Sequence, residues 1–382
     1  MLKNMKTIFL CSSLEQARDG VGDYTRRLAG QLLIRGYQTR IIALNERNLK
    51  LLESNEVQSD GGQEIQVLRL SSALTWEKRV LKAKSFVDSF DPDFISIQYV
   101  PYGFQDKGLP FRLSSHLKTV TGNIKCHIMF HELWLGIRKN SSIKDKIYGH
   151  LQVNIVKNLV KTLAPCSIST SSKLYQIELE RKLIPSNILP LFSNIEILEP
   201  DHCFINSVYN KINLNERCNY TLIGIFGTLY RHEYLQGIIY QQHLKSNKEN
   251  KKIAVLFFGR IGNYTEYIRL KNIFQDQVEF VHLGEISERQ VSSILQILDK
   301  TISCTPFEYL EKSGVYAAFR LHNLEVLTAK SHDLPEYALE INAHNQYLKD
   351  RDSHNWSACF VSGEFINLLY THRLSHIFGS SL

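Results

Sequence analysis

The sequence contains no apolar run long enough to cross a membrane. A spanning helix needs about 20 consecutive apolar residues, whereas the apolar run near the start, residues 7–11, is followed soon by Glu15 and Arg18. The same run is too short for the apolar core of a secretory signal peptide. We therefore expect a soluble protein that contacts a membrane peripherally at most.

Cysteines are few, and none of them belongs to a closely spaced pair. There are 7, an odd number, and no C-x-x-C motif occurs. Disulfide scaffolds and zinc sites use paired cysteines, so this pattern favours free thiols in a reducing, cytoplasmic compartment. The zinc motif H-E-x-x-H is also missing, because Leu135 stands where the second histidine would follow His131 and Glu132. We expect neither a metal ion nor a tightly bound cofactor.

The charge of the chain is only mildly one-sided. The formal net charge is +7, from 45 Lys and Arg against 38 Asp and Glu. Without dense basic clusters, nucleic acid is not an expected partner. The modest excess suits a phosphate-bearing small substrate or an anionic membrane surface, and solubility alone is also a sufficient explanation.

Predicted strands alternate with predicted helices along most of the chain, and the alternation restarts once. The 382 residues exceed the ~150 typical of one domain, and strand–helix alternation is typical of parallel βαβ units. We predict an α/β protein with two Rossmann-like, doubly wound parallel-sheet domains, residues 1–198 and 199–355. A last helix within residues 356–382 either crosses back to the first domain or caps the second.

The first candidate site is a glycine-rich segment after the predicted strand 6–11, and its candidate binding residues are Gly20, Gly22 and Asp23. Gly20 and Gly22 permit close backbone approach, and a helix that starts beside them directs N–H groups towards an anion. The segment is not the dinucleotide pattern G-x-G-x-x-G, because Thr25 takes the third glycine position. A tight turn with Asp23 as the helix N-cap is the alternative interpretation.

The second candidate site is His131 with Glu132, directly after the predicted strand 126–130. A histidine and an acid in such a loop can bind sugar hydroxyls or handle a proton near pH 7. A structural histidine at a strand end is the commoner case. Aromatic residues in the same region can stack on a sugar or an apolar acceptor, and core packing explains them equally well: Tyr99, Tyr102, Phe104 and Trp134.

The third group of candidates follows the predicted strands of the second domain. Glycines and an arginine stand directly after these strands, and a serine and a glycine begin a later helix, where a phosphate binds well. Surface turns and an ordinary capped helix start are the alternatives. We expect Glu311 to accept hydrogen bonds from a sugar or ribose. The candidates for binding a diphosphate are Gly227, Thr228, Arg231, Gly259, Arg260, Gly284, Lys312, Ser313 and Gly314.

The position of these loops predicts a shared site. In open parallel sheets, ligands bind beyond the carboxyl ends of the strands. We therefore predict that the two domains face each other across a cleft lined by both sets of loops. The D-x-D sequence Asp91-Pro92-Asp93 does not belong to that site, because it joins a helix to the start of a strand and so lies at the opposite edge of the sheet.

The whole chain resembles the GT-B class of glycosyltransferases, and especially the family-4 retaining type. The matching segments are residues 19–33, 91–99, 130–132, 191–195 and 225–229. The resemblance implies a nucleotide-diphosphate sugar as donor, a hydroxyl acceptor, and metal-independent transfer with retention. It also implies that Gly22 contacts the donor diphosphate, that His131 contacts the transferred sugar, and that Arg231 or Arg260 neutralises the leaving group.

One hallmark of that family is incomplete here. Its two glutamates, eight positions apart, fall on Leu310 and Ala318 when the following turn is matched to Asn323-Leu324-Glu325. Ser313 and Gly314 resemble a variant that takes over the phosphate contact. A non-catalytic homologue that serves as partner or scaffold of an active transferase stays open as an alternative, and so does a sugar-nucleotide epimerase. The missing dinucleotide fingerprint argues against an oxidoreductase.

Overall fold

The computed structural model describes residues 5–16, 18–212, 217–229, 233–329 and 351–378. The chain divides into two compact units. The first contains the described residues up to Pro190 and those from Ala358 on, and the second contains the described residues from Leu191 to Ser357. The division after Pro190 lies earlier in the chain than the predicted domain boundary at residue 198.

The elements alternate between strand and helix in both units. The strands are β1 (Lys6–Cys11), β2 (Gln38–Glu46), β3 (Glu53–Asp60), β4 (Gln63–Ser71), β5 (Phe94–Tyr99), β6 (Lys125–Phe130), β7 (Ser167–Thr170), β8 (Asn187–Ile188), β9 (Tyr220–Phe226), β10 (Lys252–Phe258), β11 (Glu279–Gly284), β12 (Lys300–Ile302) and β13 (Glu325–Leu327). The helices are α1 (Gly20–Ile34), α2 (Trp76–Phe90), α3 (Pro101–Phe104), α4 (Leu113–Thr121), α5 (Ile143–Leu163), α6 (Lys173–Glu180), α7 (His202–Lys211), α8 (Glu233–Lys248), α9 (Tyr264–Ile273), α10 (Glu288–Ile297), α11 (Gly314–Leu321) and α12 (Ala358–Phe378).

The first unit is built on an eight-stranded sheet in the order β3-β4-β2-β1-β5-β6-β7-β8. All neighbours are parallel except β3, which pairs antiparallel with β4 through a turn at Gly61 and Gly62, both with positive φ. No sequence pattern predicts this hairpin, because β3 is a polar edge strand without an apolar stripe. The prediction of a parallel sheet is confirmed for the other strands.

Helix α12 packs in the first unit. The ring of Phe365 lies 5.5 Å from that of Phe9 on β1. At the end of α1, the Nε of Arg35 donates a 2.7 Å hydrogen bond to Ser362 Oγ and its Nη2 donates to the carbonyl of Cys359. Helices cover the central strands, which explains why β5 is buried along its whole length.

The second unit has a five-stranded, all-parallel sheet in the order β11-β10-β9-β12-β13. Apolar side chains pack on both faces. On β9, Leu222 joins one core cluster, while Ile223 and Ile225 point to the other. The strand order reverses between β9 and β12, and this reversal is the point where doubly wound sheets bind ligands. The prediction of two Rossmann-like α/β domains is confirmed.

The segment after Pro190 attaches to the second unit. The backbone N–H of Ser193 donates to the carbonyl of Trp356, and the N–H of Leu198 donates to Ser292 Oγ on α10. The seven cysteines, all of which lie within the described residues, are thiols that form no disulfide bond. Across the residues that the structure describes, the helices lack the combination of length and apolar composition that crossing a bilayer demands.

Candidate functional site

The switch point of the second unit lies between the end of β9 and the start of α11. Gly227 follows β9 with a φ of +82°. The position that a β-carbon would take at Gly227 lies 3.7 Å from Cγ2 of Val315, the second residue of α11. The same position at Gly314 has no neighbouring atom within 4 Å. The structure therefore brings two sequence-predicted segments together and leaves open space beside Gly314.

Helix α11 begins with a serine cap. The Oγ of Ser313 accepts a 3.1 Å hydrogen bond from the backbone N–H of Tyr316. The first four N–H groups of a helix lack partners within the helix, and the serine satisfies one of them. The partial positive charge of the helix start favours an anion there. Lys312, which precedes Ser313, is partly exposed.

Glu311 is buried, with 4% of its surface exposed. It lies in a short 3-10 helix, Phe307–Lys312, that leads into α11. A buried acid is expected to have its hydrogen-bonding capacity used within the protein. The predicted role of Glu311 as an acceptor for ribose or sugar hydroxyls stays a prediction.

The other predicted glycines of the second unit form a row along the same edge of the sheet. The N–H of Gly227 donates to the carbonyl of Phe258, and the N–H of Gly259 donates to that of Gly284. Thr228 packs its methyl group near Gly262. Gly259 follows β10 and Gly284 is the last residue of β11, and these strands lie one and two strands away from β9 and thus from the switch point.

Arg260 forms an ion pair with Glu285, a residue that no sequence motif indicated. Its Nε and Nη2 lie 3.4 Å from Oε1 and Oε2 of Glu285. Both side chains are exposed, and an exposed pair of this kind contributes little stability, about 0–1 kcal/mol. A diphosphate can therefore replace Glu285 as the partner of Arg260 at low cost. Arg231 lies outside the described residues.

In the first unit, the glycine-rich segment is the first turn of α1 and not a loop. The N-cap is Asp19, whose Oδ1 accepts hydrogen bonds of 3.0 and 2.9 Å from the N–H groups of Val21 and Gly22. The alternative of Asp23 as N-cap is therefore wrong. Asp23 lies within the helix and accepts a 2.8 Å hydrogen bond from Arg26. The carboxylate of Asp19 occupies the position at this helix start that would favour a ligand anion.

The two glycines of this turn differ in their surroundings. A β-carbon at Gly22 would lie 2.6 Å from the carbonyl oxygen of Ser13, which is closer than such contacts are found, whereas one at Gly20 would meet nothing within 4 Å. Gly22 is thus required for the packing of α1 against the loop after β1. Its predicted contact with a diphosphate stays a prediction.

Substituting Asp19 tests the charge at this helix start. Burial, the largest cause, raises the pKa of Asp19 above its ordinary value of 3.8. The folded protein then binds a proton more tightly than the unfolded chain, so this group lowers stability as the pH rises from about 3.8 through the raised pKa. Since asparagine also caps helices and does not titrate, Asp19→Asn should gain stability relative to wild type as the pH increases over that window.

Urea unfolding of both proteins at a series of pH values from 4 to 7 measures this difference. A difference in the free energy of unfolding that stays constant over the series would show that burial does not penalise the charged form of Asp19.

His131 lies where α1, β5 and β6 meet. Its backbone N–H donates to the carbonyl of Tyr99, and its Nε2 lies 2.8 Å from Oε1 of Gln98. Its ring packs edge-on against Tyr24 of α1, with 4.9 Å between the ring centroids. The side chain is 8% exposed. The structure thus brings His131 into contact with α1, the helix that begins with the glycine-rich segment. Glu132, the next residue, is partly exposed.

Of the aromatic candidates on the acceptor side, Tyr102 alone is partly exposed. Tyr99 is 0% exposed and packs between Phe104 and Phe130, so the prediction of a sugar contact is wrong for Tyr99 and core packing explains it. Trp134 is buried as well, and its Nε1 donates to Oε2 of Glu178. Stacking of Trp134 on a sugar acceptor would require its hydrogen bond with Glu178 to break.

The turn at residues 91–93 lies at the amino edge of the first sheet, as predicted. Asp91 ends α2 in a left-handed conformation, and Asp93 accepts a hydrogen bond from the N–H of Lys6, the first residue of β1.

Within the described ranges, no three His, Cys, Asp or Glu side chains gather as a metal site would require.

Similarity to known proteins is found in structure and not in sequence. No protein-family model and no curated protein matches the chain. The catalytic domain of starch synthase IV from Arabidopsis thaliana, bound to ADP and acarbose, matches with 12% identity and a TM-score of 0.51, over 97% of this chain and 99% of that one. A lipopolysaccharide outer core galactosyltransferase in its apo form matches with 8% identity and a TM-score of 0.51, over 96% and 99%. The protein has the GT-B fold.

The GT-B fold is shared by enzymes of another kind. A protein from Listeria monocytogenes described as a UDP-N-acetylglucosamine 2-epimerase matches with 10% identity and a TM-score of 0.51, over 97% of both chains. At such identities, the likeness shows the fold alone. The family-4 type and the retaining reaction stay predictions. Leu310 and Ala318, at the positions of the family's two glutamates, are both buried in the second unit.

Proposed function

We propose that the protein is a glycosyltransferase that moves a sugar from a nucleotide-diphosphate sugar to a hydroxyl-bearing acceptor, without a metal ion and with retention. The observation that carries the proposal is the meeting of Gly227 with the start of α11 at the switch point of the second sheet. A glycine with positive φ allows a ligand close to the backbone, and the start of α11 favours an anion.

The proposed donor site consists of the residues around this switch point. Ser313 and Gly314 bind the diphosphate through the helix start, and Gly227 leaves room for it. Arg260 supplies positive charge when the diphosphate departs, which a metal-independent transfer requires of the protein. In the first unit, we propose that His131 contacts the transferred sugar and that Tyr102 lies on the acceptor side. The acceptor is a glycan, a lipid-linked sugar or a small molecule.

A non-catalytic role is the second candidate. Leu310 and Ala318 are apolar and buried where a retaining family-4 enzyme carries its glutamates, and buried apolar side chains cannot bind a polar donor. A scaffold for an active transferase would tolerate these residues. An epimerase would share the donor site but release a rearranged nucleotide sugar instead of a glycosylated acceptor.

A thermal-shift panel of nucleoside diphosphates and their sugars separates these functions. A ligand at about 100 times its dissociation constant stabilises the folded protein by about 2.7 kcal/mol. We expect at least one nucleotide to raise the melting temperature, and its sugar conjugate to be consumed when acceptors are supplied. A panel without any shift would support the scaffold. Conversion of the nucleotide sugar into an isomer without an acceptor would support the epimerase.

A further inference from the structure

A row of buried polar side chains runs from His131 into the sheet of the first unit. Oε1 of Gln98 lies 2.8 Å from His131 Nε2, and Nε2 of Gln98 donates a 2.7 Å hydrogen bond to Ser96 Oγ. Ser96 Oγ lies 2.9 Å from His127 Nδ1, and His127 Nε2 lies 3.1 Å from Ser169 Oγ. These five residues, here called the histidine row, connect β5, β6 and β7.

The histidine row is sealed from water. Ser96, His127 and Ser169 are 0% exposed and Gln98 is 1% exposed. The ring of Phe365 on α12 packs edge-on against His127, with 5.3 Å between the ring centroids. Polar groups at such depth cost free energy unless they are hydrogen-bonded. Four buried polar residues in the middle of a sheet therefore call for a role that apolar residues could not fill.

The chemistry of the amide group decides which atom donates in each hydrogen bond of Gln98. An amide oxygen only accepts hydrogen bonds and an amide nitrogen only donates them. Gln98 therefore accepts from Nε2–H of His131 and donates to Ser96. Ser96 Oγ and His127 Nδ1 share the next hydrogen bond, and His127 Nε2 and Ser169 Oγ share the last one. In its neutral form, His131 therefore carries its proton on Nε2.

We propose that Gln98, held by Ser96 and His127, is a positioning residue that fixes the Nε2–H tautomer and the ring orientation of His131. The fixed ring orientation keeps His131 in place for the proposed contact with the transferred sugar. This catalytic consequence rests on the proposed function, whereas the tautomer itself does not.

The tautomer can be read directly in the full-length protein. Long-range ¹H–¹⁵N correlation spectra of histidine rings distinguish Nε2–H from Nδ1–H, and the His131 signals are assigned by their loss in His131→Gln. We expect Nε2–H in the wild type. In Gln98→Leu, the acceptor is gone and the ring should show a mixture of tautomers. Transfer activity, as kcat/KM for the donor, should fall about 3- to 10-fold, the effect of one neutral hydrogen bond.

Two further variants separate positioning from folding. Ser96→Ala removes only the link between Gln98 and His127, and we expect the same change of tautomer in a smaller fraction of molecules. Ser167→Ala is the matched control, because Ser167 is also a buried serine of this sheet and its hydroxyl has no hydrogen-bond partner. It should leave the His131 signals and the activity unchanged.

The outcomes are distinct. Nδ1–H in the wild type, or unchanged His131 signals in both Gln98→Leu and Ser96→Ala, would overturn the role of Gln98. The expected tautomers in a protein that binds no nucleotide sugar would support the histidine row and refute the proposed transferase function. If Gln98→Leu does not fold, the Ser96→Ala spectrum decides.

Discussion

Gly314→Asp is expected to weaken the binding of a nucleoside diphosphate by about 30-fold. A carboxylate at the first residue of α11 would face the diphosphate that the proposal places beside Ser313. Two unit charges about 8 Å apart, at an effective dielectric constant of about 20, interact by about 2 kcal/mol, which is about 30-fold in affinity. Isothermal titration calorimetry with the nucleotide found in the thermal-shift panel measures the effect.

The same position supplies the control. Aspartate is favourable in the first turn of a helix, and a β-carbon at Gly314 would meet no atom within 4 Å, so Gly314→Asp should fold normally. Gly314→Ala adds the β-carbon without the charge and should bind the nucleotide as the wild type does. Equal affinities of the two variants would mean that the diphosphate binds elsewhere, and the switch-point site would have to be abandoned.

Gly22→Ala is expected to lower the free energy of unfolding by about 1–3 kcal/mol, the usual cost of overpacking. The new β-carbon would lie 2.6 Å from the carbonyl oxygen of Ser13. That loop cannot move away easily, because Oε1 of the buried Glu46 accepts a 2.8 Å hydrogen bond from the N–H of Leu14 and Oε2 accepts one from the hydroxyl of Ser13. Urea denaturation measures the loss.

Gly20→Ala is the matched variant in the same turn of α1. Its β-carbon would meet no atom within 4 Å, and alanine is the better helix former by up to about 1 kcal/mol. We expect it to be as stable as the wild type or more so. If both variants were equally stable, the close approach of α1 to Ser13 would not explain why a glycine stands at position 22.

The regular elements could be predicted because their patterns are local. Strands β1 and β5 and helix α2 begin and end where apolar runs, helical spacing and turn residues place them. Asp23 was the N-cap candidate because Gly20 and Gly22 are unfavourable in helices, but the side chain of Asp19 outweighs that preference by capping two N–H groups. Strand β3 was missed because an exposed edge strand needs no apolar stripe.

The candidate sites could be predicted only as positions in the chain. Gly227 and Ser313 were recognisable as residues after a strand and before a helix, but their proximity depends on the order of the strands. Tyr99 and Tyr102 look alike in the sequence, and packing alone distinguishes the buried side chain from the exposed one. Glu285 and Gln98 gave no signal, because single polar residues near strand ends are common.

The sequence by itself determined the α/β class, the two Rossmann-like halves and the strand ends at which ligands bind, because hydrophobic periodicity and turn chemistry act between near neighbours in the chain. The tertiary structure decided which of those strand ends and helix starts lie next to each other. The strand order placed Gly227 against α11, Asp19 closed the start of α1, and pairing of β5, β6 and β7 assembled the histidine row. Contacts between residues far apart in the chain depend on packing, which no local pattern encodes.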